Sequence, residues 1–174
     1  MAMVSKIVTE KGTRRPVLHQ VCAEVLDEDE AIYGEARAVA AKLVDTLKAH
    51  PDAVGLSAPQ IGALVRVIAV RTDFEHNEQV VALLNPVVER RVGWRMVDEG
   101  CLSLPKRTFR VQRSQVVCVR AQSSLDGATV KMTARGMLAQ ALEHEIDHLD
   151  GVLVSDKGTE RDLAAKVIDP WAKK

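Results

Sequence analysis

A chain of 174 residues with 24 basic and 24 acidic side chains is formally neutral, so no basic field points to nucleic acid and no acidic tail points to a solvating segment. Aromatic residues make up 3%, which leaves Val, Leu, Ile and Ala to build the core and removes the stacking platforms of a single-strand binder. No apolar run reaches membrane-spanning length, and the first residues lack a secretory signal, so a single cytoplasmic domain spanning 1–174 is expected. Residues 31–49 read as an amphipathic helix with Val39, Leu43 and Leu47 on one face and Pro51 as its stop. Residues 54–62 fit neither helix nor regular strand. Strands are expected over 65–71 and over 79–84, the second ending at Asn85-Pro86. After a turn-rich break at 100–105, strands over 115–121 and 128–132 flank an Asp126-Gly127 hairpin signal. Thr133 is the expected N-cap of a helix running to Leu149, with Gly151 as its stop. A short helix is expected over 160–167. With most strands ahead of one late helix, the fold class is α+β: antiparallel sheets packed around a central helix.

That late helix carries the pentad His144-Glu145-Ile146-Asp147-His148. Residues four apart share a helix face, so both imidazoles can close on one cation, and Glu145 stands beside it as a proton acceptor. Met137 and Ala141 share the histidine side, while Leu138, Leu142 and Leu149 form an adjacent core side. A catalytic site of this kind takes a third protein ligand and keeps one position open. Downstream of His148 the candidates are Asp150, Asp156, Glu160, Asp162 and Asp169; upstream, Glu99-Gly100-Cys101-Leu102-Ser103 offers a thiol. Three cysteines are too few and too odd for a disulfide framework. Cys22 and Cys118 lie in apolar runs and read as core, whereas Cys101 sits among turn formers. A metalloendopeptidase with Glu160 or Asp162 as third ligand, and a noncatalytic metal-dependent module, are the rival readings.

Gly55-Leu56-Ser57-Ala58-Pro59-Gln60, Glu99-Gly100-Cys101-Leu102-Ser103 and the pentad, in that order, resemble the three motifs of peptide deformylases. The Pro16-Val17-Leu18 segment resembles that family's opening. The resemblance implies Cys101, His144 and His148 as ligands of ferrous iron, with Zn2+, Ni2+ or Co2+ as substitutes. It further implies hydrolysis of the N-formyl group from the initiator methionine of nascent chains, with Glu145 as base and acid. Oxyanion donors would be the Gln60 amide and the backbone N–H of Leu102. Val54, Gly55, Leu56, Glu99, Met137 and Ala141 would contact substrate, Gly55 by letting the peptide backbone approach. Glu99 also matches a position near the ligands, and Asp147 with Arg113 would anchor the helix behind them. Docking near the ribosomal exit tunnel is a further partner the resemblance allows. The basic stretch 106–110 is expected to face water. Departures from the family pattern are Ala53 for Gly, Ser57 for Ala, and Glu143 for Gln. Ala53 would narrow the substrate path, Ser57 brings a hydroxyl that needs a partner, and an inward-turned Glu143 would add negative charge near the cation.

Overall fold

The computed structural model describes residues 2–13, 15–26, 30–72 and 79–161. Its elements in chain order are a 3₁₀ helix (Arg15–His19), α1 (Glu30–Lys48), β1 (Gly55–Ser57), a 3₁₀ turn (Ala58–Ile61) and β2 (Val67–Arg71). They continue with β3 (Val80–Cys101), β4 (Leu104–Ser123), β5 (Thr129–Arg135), α2 (Gly136–Leu149), α3 (Val154–Lys157) and β6 (Thr159–Glu160). The fold is α+β, and its strands form one antiparallel sheet, ordered β1-β2-β3-β4-β5 with β6 on β4, instead of separate sheets. No helix among the described residues is long and apolar enough to cross a membrane.

β2 explains how the core is arranged. Every one of its residues is buried, because each face of the sheet meets a helix. Val67 and Ala69 join Val39, Leu43 and Leu47 of α1 on one side. Ile68 and Val70 join Leu142, Ile146 and Leu149 of α2 on the other. A third cluster forms where Leu104, Phe109 and Val111 of β4 meet Leu153 and Val154 at the start of α3. α2 is thereby pressed against the sheet through its leucine side, which fixes the direction of its histidine side.

Several expectations need correction. β3 does not end at Asn85-Pro86 but runs on to Cys101. The register shifts between Leu84 and Val87, so Pro86 occupies a bulge where no N–H is required. Asn85 takes φ 47°, tolerable for Asn, and its side chain bonds the Val25 backbone at 2.9 and 2.7 Å. Thr133 is not a helix cap: it pairs with Cys118 in the sheet, and β5 continues to Arg135. The corner into α2 falls at Gly136, whose φ of 58° suits a residue without Cβ. Cys118 is half-buried beside Thr133 and does not sit in the core, whereas Cys22 does. Glu160 lies in β6 and Arg161 is not helical, so the helix expected over 160–167 does not begin there; residues 162–167 fall outside the described residues.

Candidate metal centre

Cys101 stands at the end of β3, one residue before the turn at Leu102 and Ser103 that leads into β4. His144 and His148 lie one turn apart on α2, their ring centroids 4.9 Å apart and their planes at 79°. One potential ligand atom from each of Cys101, His144 and His148 lies within 4.8 Å of the other two. This is the one such group of three among the described residues. Cys101 Sγ is 3.3 Å from His148 Nε2. Glu160, proposed above as a rival ligand, is instead held by Arg107 at 2.9 and 2.8 Å. Asp162 and Asp169 lie outside the described residues.

Behind the rings runs a chain of ionic contacts. His144 Nδ1 meets Glu99 Oε2 at 2.9 Å. Arg113 donates to both Glu99 oxygens at 2.8 and 2.9 Å, and its third arm reaches Asp147 at 2.6 Å. Lys157 closes the chain on Asp147 at 3.0 Å. Burial alone would raise the Glu99 pKa, but hydrogen bonds from His144 and Arg113 carry it down to about 2. Burial opposes charge on His144, yet Cys101 and Glu99 more than offset it and hold its pKa well above the usual value. His148 goes the other way, its pKa lowered first by burial and then by the neighbouring His144 and Arg113 charges. The donor set fits a divalent cation: a sulfur and two imidazoles in close quarters are a ligand set for such an ion, and it would take the place of the proton that His144 otherwise attracts.

Glu145 is fully enclosed, and burial pushes its pKa up to about 7. Its Oε2 is buried with no hydrogen-bond partner among the described residues, an orphaned acceptor. A Cβ on Gly55 would come within 2.6 Å of Glu145 Cγ and 2.7 Å of Oε1. The glycine therefore makes room for this carboxyl group, a reason distinct from the substrate approach expected above. Gln60 caps its own 3₁₀ turn, accepting the Ser57 backbone N–H at 3.0 Å and the Ser57 hydroxyl at 2.9 Å. Its Nε2 points the other way, to Cys101 Sγ at 3.5 Å and Ser103 Oγ at 3.3 Å. Gly55, Gln60, Cys101, His144 and Glu145 line a cleft of about 740 Å³, with Val54, Leu102, Met137 and Ala141 among its apolar lining.

A family profile described as polypeptide deformylase matches residues 5–163. The chain belongs to the polypeptide deformylase family. Among relatives, the peptide deformylase of Thermodesulfovibrio yellowstonii is 39% identical over 136 residues, covering 78% of this chain and 79% of the relative. That of Thermomicrobium roseum is 37% identical over 171 residues, covering 95% and 92%. Among solved structures, the peptide deformylase from Legionella pneumophila superposes with a TM-score of 0.75 at 30% identity, covering 88% of this chain and 85% of that one.

Within this deformylase fold, some assigned positions change character. Leu56 is wholly buried in the core beneath α1 and does not line the cleft. Glu99 borders the cleft, and its carboxylate is engaged by Arg113 and His144. Glu143 turns away from the centre, to Arg91 at 2.8 Å and to the Ser114 N–H and hydroxyl at 2.7 and 3.0 Å. The basic stretch does not simply face water: Arg107 pairs with Glu10 and Glu160, and Arg110 with Asp98. Ser103, the last residue of the Glu99–Ser103 motif, is wholly buried and accepts from Gln60 Nε2 at 3.3 Å, a contact that only its place in that motif signals in the sequence. The S-x-x-Q spacing of Ser57 and Gln60 was likewise readable as a capping box.

Proposed function

We propose that the chain hydrolyses the N-formyl group of formylmethionine at the N-terminus of newly made polypeptides, using one cation held by Cys101, His144 and His148. The single observation that carries this reading is the convergence of that thiol and those two imidazoles beside a cleft that Cys101 and His144 line, in a deformylase-family chain. When bound, the cation supplies Lewis acidity toward a carbonyl oxygen and toward water. A thiolate donor offsets one positive charge and suits ferrous iron, with zinc, nickel or cobalt as replacements.

The protein's own groups account for the rest. Glu145 takes the proton from the attacking water and returns it to the departing amine nitrogen; a carboxyl group with a pKa near 7 can do both at neutral pH. The Gln60 Nε2 group and the Leu102 backbone N–H donate to the oxygen that gains charge. Among the described residues β1 is an edge strand paired with β2 alone, so an extended peptide can add beside Val54 and Gly55 in strand fashion. Met137, Ala141, Val54 and Leu102 offer apolar contact to the methionine side chain. Glu99 orients His144, and Arg113 with Asp147 hold the helix behind it. Residues 1–174 then serve as one catalytic unit in the cytoplasm, where nascent chains emerge. Docking near the ribosomal exit tunnel would bring the chain to those termini as they emerge.

The test is formyl-Met-Ala hydrolysis by iron-loaded protein under anaerobic conditions, with metal analysis of the same samples. Glu145→Gln should keep its cation and lose about 10²- to 10⁴-fold in kcat. Cys101→Ala should lose the cation. A Cys101→Ala protein that retains its cation and cleaves internal peptide bonds would favour the metalloendopeptidase reading instead.

A further inference from the structure

An amide side chain can be turned round at little steric cost, and the two ends differ only in charge. If Gln60 presented its carbonyl to an oxygen gaining negative charge, it would oppose the reaction it is meant to assist. Something must therefore fix its orientation. The backbone N–H of Ser57 does part of this, at 3.0 Å from Oε1. The Ser57 hydroxyl is the second donor on the same oxygen, at 2.9 Å. Ser57 is wholly buried, so its hydroxyl has no water to turn to. Ser57 thus fastens the group assigned above to charge stabilisation through two donors on one oxygen.

We infer that Ser57 is a positioning residue, whose hydroxyl adds a second fastening to the Gln60 carbonyl that the Ser57 backbone N–H orients, and so holds the amide N–H groups toward the reacting atoms. The inference rests on the deformylase reading and adds a residue to it. An alanine at this position would leave Oε1 with the backbone donor alone. The amide would then keep one of its two fastenings on that side, with Ser103 and Cys101 on the other.

The experiment compares wild type, Ser57→Ala, Gln60→Ala and the double variant on formyl-Met-Ala, with cation content measured in each. Ser57→Ala should lower kcat about three- to ten-fold, the scale of one neutral hydrogen bond, and leave KM and cation content unchanged. In the Gln60→Ala background the same change should have no effect on kcat, because the group it positions is gone. Ser57→Cys, which fills the space but donates weakly, should fall in the same direction, separating the hydrogen bond from packing. A readout independent of turnover is hydrogen exchange of the Gln60 side-chain amide in cation-free, isotope-labelled protein, which should quicken in Ser57→Ala. An unchanged kcat, or an equal loss in both backgrounds, overturns the inference while leaving the enzyme a deformylase. A cation-loaded wild type that does not hydrolyse the peptide overturns the deformylase reading itself, and this inference with it.

Discussion

At the scale of single residues, the site is set by what is small as much as by what is reactive. Gly55 is the clearest case. A methyl group there would meet Glu145 at its Cγ, which is buried and cannot swing away as an exposed carboxylate would. Gly55→Ala should therefore displace Glu145 without touching a ligand. Misplacing a proton carrier by about an ångström costs on the order of 10- to 100-fold in rate. The expected result is a loss of that size in kcat with cation content unchanged. Full activity in Gly55→Ala would show that Glu145 relocates freely. The chemistry of this corner was legible in sequence, because the pentad spacing and the thiol motif each carry a reason for their residue types. The reason for the glycine was not, since the contact it permits joins positions ninety apart in the chain.

At the scale of elements, α2 is fixed to β3 and β4 by one guanidinium. Arg113 on β4 grips Glu99 on β3 through two bonds and Asp147 on α2 through a third, with its own side chain 1% exposed. Glu99 then holds His144, so the strand hairpin and the helix are aligned by the groups that support the rings. Arg113→Met keeps much of the volume and leaves Glu99 buried without its counter-charge. Removing one partner of such a pair costs about 3–5 kcal/mol, and loss of support behind a ligating histidine weakens metal binding about 10- to 100-fold. Urea denaturation of the cation-free protein and a zinc titration measure the two effects separately. Arg113→Lys keeps charge but not the forked geometry and should fall between the two. A change below about 1 kcal/mol in Arg113→Met would mean that the network contributes little. Both long helices were readable because their apolar spacing repeats over several turns. β3 was not: Asn85-Pro86 looks like a terminator, and the segment beyond it pairs, among the described residues, with β4 alone and leaves Val92, Trp94 and Met96 exposed, so burial imposes no clear alternation. β4 was undercounted for the related reason that Arg113 and Ser114, buried by the polar network, break its apolar pattern.

At the scale of the whole molecule, the proposed ligands come from two parts of the architecture that nothing covalent joins locally. Cys101 ends the long β3–β4 hairpin, and the histidines sit on the helix that follows β5. A cation shared between them must lower the free energy of the folded chain, because the unfolded chain scatters the three donors. For an ion present at 1,000 times its dissociation constant, the gain is about 4 kcal/mol. In a chain of this length each kcal/mol shifts Tm by about 2–4 °C, so zinc should raise Tm by roughly 8–16 °C over the chelated protein. Cys101→Ala and His148→Ala should each abolish most of that rise, while Glu145→Gln should retain it. This ordering separates ligands from the base without any assay of turnover. An equal rise in all four proteins would place the stabilising ion elsewhere on the molecule and leave the thiol and imidazoles without the role argued for them.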